Sequence, residues 1–232
     1  MIRKRPAATR GHFDHGWLDT WHSFSFADYY DEAEMGWSRL RVINDDIVAP
    51  DSGFDRHGHR DMEIITYVLE GALQHDDSMG HGTVIRRPEV QRMSAGRGVM
   101  HSESNASADE RVHLLQIWIE PDVRGIAPEY EQRAYVDDAK RGRWLPIATA
   151  DGRDGSLRIH QDASLYATLL AAGESLEHAL APGRRAYVHV VAGDVALNGQ
   201  PFAGGDGAKI ENETRLALVA YGAAEVLLFD LP

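Results

Sequence analysis

Apolar residues recur along the chain in short runs, and turn-forming residues break each run. Four examples are Leu40–Ile43, Ile64–Leu69, Val112–Ile119 and Ala186–Val191. β-Branched and aromatic residues dominate these runs, and their lengths are typical of strands. Turn pairs such as Glu70-Gly71 and Asn198-Gly199 are frequent, whereas long helical periodicity is scarce. The pattern therefore predicts an all-β barrel or sandwich.

A weak internal repeat indicates that the barrel is duplicated. Tyr67–Leu73 resembles Val188–Val195 when Gly71 is laid on Gly193, and each segment has the pattern of strand, glycine turn and short strand. At the same offset of 122 residues, His57 and His59 correspond to Ala179 and Ala181. We therefore expect polar ligands in the first barrel only. The charged segment 129–143 ends the first run of strands and predicts two domains, 1–135 and 136–232.

Composition excludes several classes of function. The chain has 24 basic and 36 acidic side chains, a formal net charge of −12, and no cysteine. An acidic surface repels phosphate backbones, so direct nucleic-acid binding is not expected. Without cysteine, any metal must have nitrogen and oxygen ligands. No apolar run approaches the roughly 20 residues of a membrane helix, and Met1–Pro6 lacks the apolar stretch of a secretory signal. We expect a cytoplasmic protein without a membrane segment.

Two short motifs supply candidate metal ligands. Of the 12 histidines, nine lie within residues 1–113. His57 and His59 are two positions apart, as are His101 and Glu103, so on strands each pair projects from one face. Two neighbouring strands would then present three imidazoles and one carboxylate to a single divalent ion. Such a set leaves one or two coordination positions open for substrate, water or O₂.

These motifs resemble the two motifs of the cupin superfamily. His57-Gly58-His59 is followed after three residues by Glu63, and Gly98-Val99-Met100-His101 is followed after three residues by Asn105. The chain departs from the pattern in two turns. The glycine that ends the first motif comes one residue late, and Gly96 replaces the usual proline of the second. The ligand positions themselves are retained.

The chain resembles the pirin family more closely still, above all the bacterial pirins described as quercetin 2,3-dioxygenases. The resemblance covers nearly the whole chain and is densest before residue 135. It implies a bicupin, two tandem cupin β-barrels with a double-stranded β-helix fold. The segments that carry it are Arg10–Ala27, Leu40–Asp46, Gly53–Glu63, Gln74–Gly80, Met93–Glu103, Gln116–Ile119, Asp151–Ser156 and Leu227–Leu231.

The pirin resemblance implies a ligand set of His57, His59, His101 and Glu103 for one divalent metal ion per chain. Fe(II) is the metal we expect, and zinc, nickel, manganese or copper would accept the same donors. Other cupins use the glutamate of the first motif, which is Glu63 here. Residues 57, 59 and 63 share strand parity, so spacing leaves both carboxylates open as the fourth ligand. A glutamate that is not the ligand would be a supporting group.

The activity implied by the resemblance is dioxygenation of a flavonol such as quercetin with O₂ and release of carbon monoxide. A carboxylate, Glu103 or Glu63, would accept the proton of the flavonol hydroxyl. The alternative is a non-enzymatic, metal-dependent regulator that binds a protein partner such as a transcription factor or metabolic enzyme. A metal-stabilised scaffold or an isomerase-type cupin is a third hypothesis.

The remaining histidines are expected to have structural roles. Those near the N-terminus lie among aromatic residues, those in the middle of the first half fall in turns or strands, and those of the second half have no paired partner. In this order they are His12, His15 and His22; His75, His81 and His113; and His160, His178 and His189.

Overall fold

The computed structural model describes all 232 residues, and its regular elements are almost all strands. The first twelve are β1 (Ile2–Arg5), β2 (Gly11–Asp14), β3 (Leu18–His22), β4 (Leu40–Val48), β5 (Gly53–His59), β6 (Glu63–Glu70), β7 (Ala72–Asp77), β8 (Gly82–Arg86), β9 (Glu89–Ser94), β10 (Val99–Asn105), β11 (Val112–Ile119) and β12 (Glu129–Ala134). The other ten are β13 (Leu145–Thr149), β14 (Leu157–Arg158), β15 (Ser164–Leu170), β16 (Ser175–Ala179), β17 (Arg185–Ala192), β18 (Asp194–Leu197), β19 (Gln200–Ala203), β20 (Gly207–Ile210), β21 (Arg215–Ala220) and β22 (Ala224–Leu231).

Helical structure is limited to single turns. They are α1 (Asp137–Lys140) and the 3₁₀ helices Ala7–Thr9, Glu32–Glu34 and Arg153–Gly155. No helix combines the length and apolar character needed to cross a membrane.

The strands form two barrels of the same design. In the first barrel a seven-stranded sheet, ordered β12-β9-β6-β11-β4-β3-β2, faces a four-stranded sheet, ordered β5-β10-β7-β8. In the second barrel the corresponding orders are β1-β20-β17-β22-β15-β13-β14 and β16-β21-β18-β19. Position by position, β6 corresponds to β17, β5 to β16 and β10 to β21. This architecture confirms the predicted all-β fold with two tandem barrels.

The glycine turn of the sequence repeat has the same conformation in both barrels. Gly71 follows β6 with φ 74°, and Gly193 follows β17 with φ 82°. A side chain at either position would collide with a backbone carbonyl, that of Arg111 in the first barrel and that of Ala223 in the second. Glycine is therefore required both for the left-handed backbone and for the close approach of the next strand.

The first strand departs from the predicted division at residue 135. Ile2–Arg5 pairs with Gly207–Ile210 and so extends the large sheet of the second barrel. The corresponding edge of the first barrel is formed instead by Glu129–Ala134, paired with β9. The start of the chain is thus tied to the second barrel. Four residues of mixed polarity carry no signal for a pairing partner about 200 positions away. For the rest of the chain, the division stays a prediction.

The two barrels pack together through their large sheets. The largest buried apolar cluster, 22 residues, draws members from both halves of the chain, including Ile65 and Tyr67 of β6 and Leu165 and Phe229 of the second barrel. On β6 the alternate residues, such as Ile64 and Val68, face the interior of the first barrel and belong to other clusters. Because β6 is buried on both faces, its sequence is mostly apolar and does not alternate between polar and apolar residues.

Polar side chains interrupt the apolar interior of the first barrel. On β6, Thr66 lies between Ile64 and Val68, which belong to separate apolar clusters. Its register partner on β11 is Gln116, which is also buried. Buried polar groups at this level need hydrogen-bond partners. Both Thr66 and Gln116 donate to Glu103, one of the candidate metal ligands.

Candidate metal centre

Three imidazoles converge on one point inside the mouth of the first barrel. His57 and His59 project from one face of β5, and His101 lies opposite His57 on β10. Nε2 of His101 is 2.8 Å from Nε2 of His59 and 3.1 Å from Nε2 of His57. Nitrogen atoms this close need either a cation or a shared proton between them. The donor set therefore fits a metal ion.

Two of these imidazoles, those of His59 and His101, are in the form that binds metal. Burial lowers the pKa of His101 to about 3, helped by the neighbouring histidines His59 and His57. Burial and the nearby His57 lower the pKa of His59 to about 4. Both rings are thus neutral at pH 7, as a metal requires of an imidazole ligand. Nδ1 of His57 lies 2.7 Å from the carbonyl oxygen of Asp55, which only accepts, so the lone pair of His57 is on Nε2.

The carboxylate of Glu103 lies beside this cluster. The pairing of β5 and β10 shifts by one residue between His101 and Glu103, so that Glu103 is opposite Phe54. Glu103 accepts hydrogen bonds from Gln116 Nε2 at 2.8 Å and from Thr66 Oγ1 at 3.4 Å. Complete burial raises the pKa of Glu103 above the usual glutamate range. The buried carboxylate thus has a raised affinity for a proton or a cation.

The structure groups the candidate ligands in two overlapping sets. The donor atoms of His57, His59 and His101 all lie within 4.8 Å of one another, and so do those of His75, His101 and Glu103. His101 is common to both sets. The four candidate ligands predicted from the sequence are therefore neighbours. His75 lies beside them, although the sequence predicted only a structural role for it.

Glu63 lies elsewhere, although the sequence left it open as the fourth ligand. The parity argument was wrong because the strand is broken after His59. Asp61 has a left-handed backbone, with φ 49°, and Glu63 begins β6 in the other sheet. Glu63 shares the face of Ile65, which is directed at the second barrel, and it accepts a hydrogen bond from Ser94 Oγ at 2.7 Å. It is in neither set of candidate ligands.

A small cavity of about 70 Å³ adjoins the cluster. Its aromatic wall includes Trp118, whose ring packs edge-on against His59 and Phe26 with centroids 5.0 and 5.3 Å away. Its polar wall includes Asn44 and Asp46 of β4, Gln116 of β11 and Glu103 of β10. The complete lining is Phe26, Asn44, Asp46, Phe54, His57, His59, Glu103, Gln116 and Trp118.

Two polar residues of the cavity wall were not identified as functional from the sequence. Asn44 is buried, and its Oδ1 has no hydrogen-bond partner in the protein. Asp46 accepts a hydrogen bond from Thr20 Oγ1 at 2.5 Å, and burial raises the pKa of Asp46 to about 7. The available signal was a run of three polar residues, Asn44-Asp45-Asp46, with apolar residues on both sides in the same strand.

Most other histidines have a partner outside the cluster. His12 lies 2.7 Å from Asp19 and stacks on Trp21, and His113 lies 2.6 Å from Asp45. In the second half, His160 and His178 each lie beside a carboxylate, whereas His189 is buried. None of these belongs to either set of candidate ligands.

Comparison with known proteins agrees with this fold and identifies the family. Residues 3–119 match the sequence model of the family described as Pirin. The chain belongs to the pirin family. Residues 146–231 match a second family, described as the quercetinase C-terminal cupin domain. The predicted membership of the pirins, with two cupin domains, is thereby confirmed.

Several pirins resemble this chain over its full length. A protein from Escherichia coli K12 named quercetin 2,3-dioxygenase is 51% identical over 232 residues, which are 100% of this chain and 99% of that protein. A pirin-like protein from Caulobacter vibrioides is 41% identical over 99% of each chain. The crystal structure of the Escherichia coli bacterial pirin YhhW in complex with nickel(II) has a TM-score of 0.96 at 49% identity, covering 100% of this chain and 99% of that one.

Proposed function

We propose that this pirin is a metal-dependent dioxygenase that cleaves a flavonol such as quercetin with O₂ and releases carbon monoxide. The observation that carries the proposal is the convergence of three imidazoles, beside a buried carboxylate, on an aromatic-walled cavity. A relative with 51% identity is named quercetin 2,3-dioxygenase, which supports the choice of reaction. The test is O₂ uptake and carbon monoxide release by metal-loaded protein across a panel of flavonols.

In this proposal His57, His59, His101 and Glu103 hold one divalent metal ion. Nitrogen and oxygen donors without sulfur suit Fe(II), and zinc, nickel, manganese or copper would accept the same set. The related protein solved with nickel(II) supports a divalent ion. When bound, such an ion acts as a Lewis acid that lowers the pKa of a coordinated hydroxyl group.

Glu103 is the proposed general base for the flavonol 3-hydroxyl. Its raised pKa brings its proton affinity closer to that needed at neutral pH. The hydrogen bonds from Gln116 and Thr66 orient its carboxylate within the barrel. Glu103 would accept the hydroxyl proton and hold it away from solvent.

The aromatic wall is proposed to receive the flat flavonol ring and to exclude water. Pockets that enclose ligands of this size are usually about 300 Å³ or more, whereas this cavity measures about 70 Å³. Binding therefore requires Phe26, Phe54 or Trp118 to move. All three are partly exposed, so such movement does not disrupt the core.

A regulatory role is the second hypothesis, and the net charge of −12 favours a protein partner over a nucleic acid. In this role the same ligands would make partner binding depend on metal. We also propose that the protein acts in the cytoplasm. Metal-dependent turnover of flavonols supports the enzyme, whereas metal-dependent binding without turnover supports the regulator.

We expect about one metal ion per chain, bound in the first barrel. The strand of the second barrel that corresponds to β10 is β21, and its inward residues Leu216, Leu218 and Ala220 belong to an apolar core. They offer no ligand atoms. Elemental analysis of protein purified without oxygen should give a metal-to-chain ratio near one, and a His57→Ala/His101→Ala double variant should give a ratio near zero. A ratio near two would contradict the prediction.

Asn44→Leu should reduce kcat/KM for quercetin about fivefold. The unpartnered Oδ1 of Asn44 lines the cavity and is positioned to accept a hydrogen bond from a flavonol hydroxyl. A net hydrogen bond contributes about 1 kcal/mol, which corresponds to roughly a fivefold change. Steady-state kinetics would measure the change, with metal content as the control, since Asn44 is outside the proposed ligand set. Unchanged kcat/KM would show that Asn44 does not contact the substrate.

A further inference from the structure

We propose that Asp77 and His75 set the tautomer of His101, so that the Nε2 lone pair of His101 faces the metal site. Both belong to β7, which pairs with β10 so that Asp77 lies opposite His101 and His75 opposite Glu103. The side chains of His75 and Asp77 are both completely buried. The inference rests on the proposed role of His101 as a metal ligand.

The three side chains form a continuous chain of contacts. Nδ1 of His101 lies 3.5 Å from Nδ1 of His75, and Nε2 of His75 lies 3.3 Å from Oδ2 of Asp77. Two backbone N–H groups, of Met79 and His81, and Nδ1 of His81 also converge on the oxygens of Asp77, an arrangement that suits a carboxylate. At neutral pH Asp77 is therefore an ionised carboxylate that only accepts hydrogen bonds.

The direction of each hydrogen bond in this series follows from Asp77, which stands at its end. Because Asp77 only accepts, Nε2 of His75 carries the proton and donates it. An imidazole with a single ring proton, on Nε2, holds its lone pair on Nδ1, so Nδ1 of His75 can accept only from a protonated Nδ1 of His101. That leaves the lone pair of neutral His101 on Nε2, which faces His57 and His59. Metal-binding histidines commonly have their second nitrogen held by such a partner.

Asp77 is itself held in place, so its carboxylate does not rotate. Oδ1 accepts the backbone N–H groups of Met79 at 2.8 Å and His81 at 3.1 Å. Oδ2 accepts from Nδ1 of His81 at 2.9 Å as well as from His75. The turn after β7 thus fixes which oxygen faces His75. Neither Asp77 nor His75 lines the cavity, so both are positioning residues in this proposal.

Asp77→Asn provides a test that changes one atom. Oδ1 is held by two backbone donors, so the amide nitrogen would take the place of Oδ2 and donate to His75. The hydrogen bond between His75 and His101 then reverses its direction, and His101 becomes protonated on Nε2. Asp76→Asn is the matched control, because Asp76 is the exposed neighbour on the same strand and its carboxylate accepts from Gln74.

The measurement is a long-range ¹H–¹⁵N correlation spectrum of histidine-labelled, metal-free protein, followed by titration with nickel(II) alone. We expect the Nδ1–H form of His101 in the wild type and in Asp76→Asn, and the Nε2–H form in Asp77→Asn. Nickel affinity should fall about 10–100-fold in Asp77→Asn. His75→Phe, which keeps the packing against Tyr130 but has no acceptor, should also lose the Nδ1–H form and serves if Asp77→Asn does not fold.

Retention of the Nδ1–H form in either folded variant, or an Nε2–H form in the wild type, would overturn the inference. A loss of nickel affinity in His75→Phe with no change in the tautomer of His101 would also overturn it, because His75 would then act as a ligand itself. Failure of the proposed dioxygenase activity is a separate result. It would appear as absent flavonol turnover in nickel- or iron-loaded wild type, with the tautomers as expected.

Discussion

Replacing His101 or His57 with alanine is expected to abolish tight metal binding and flavonol cleavage together. His101 is the imidazole shared by both sets of candidate ligands, and its Nε2 lies within 3.1 Å of Nε2 of His57 and 2.8 Å of Nε2 of His59. Removing one imidazole from a four-donor site leaves too few donors to hold the ion. The loss of affinity should exceed the roughly 100-fold limit of changes in supporting residues.

The fold should persist in these variants, because the apolar clusters of both barrels contain neither histidine. His12→Ala is the matched control. It removes a histidine from the same half of the chain whose side chain is 49% exposed and paired with Asp19. Competition with a chelator would give the metal affinity, and carbon monoxide release would give the turnover. Full activity of His57→Ala or His101→Ala would show that the site is elsewhere.

The local geometry of the candidate site could be predicted from the sequence because it depends on strand periodicity. Residues two apart on a strand share a face, which correctly paired His57 with His59 and His101 with Glu103. The two motifs face each other because β5 and β10 are antiparallel neighbours, in which His57 and His101 are register partners. The interruption of that register between His101 and Glu103 had no signal in the sequence.

What the sequence could not supply depends on contacts between distant strands. His75 and Asp77 look like residues of an ordinary polar strand, and only the pairing of β7 with β10 brings them behind His101. Glu63 failed as a candidate for a local reason: the left-handed backbone at Asp61 ends one strand and starts another in the opposite sheet. Periodicity predicts a face only while the strand continues.

The same limit affects the comparison between the barrels. At the offset of 122, Ala181 was laid on His59, but β16, the counterpart of β5, ends at Ala179. Insertions between strands shift the alignment by a few residues without changing sheet order. The expectation that the second barrel differs in its polar ligands depends on a sounder observation, the aliphatic residues Leu216 and Leu218 that β21 turns inward.

Glu103→Gln should weaken metal binding far more than Glu63→Gln. Glutamine preserves the size of either side chain and removes its charge. At Glu103 the change removes the only anionic donor of the proposed set and should weaken metal affinity by more than 100-fold, beyond the range of supporting residues. At Glu63 the carboxylate faces Ser94 and the second barrel, so metal affinity should change by tenfold or less.

Turnover separates the two roles proposed for Glu103. An amide cannot accept a proton at neutral pH, so Glu103→Gln should stay inactive even when excess metal restores occupancy. Glu63→Gln should keep its activity. One buried carboxylate oxygen becomes an amide nitrogen that cannot accept a hydrogen bond, so the variant is expected to unfold at a lower temperature. Metal titration, carbon monoxide release and thermal unfolding of both variants would measure these effects. If Glu63→Gln loses metal while Glu103→Gln binds it and cleaves flavonol, the ordinary cupin ligand set applies and Glu103 has neither role.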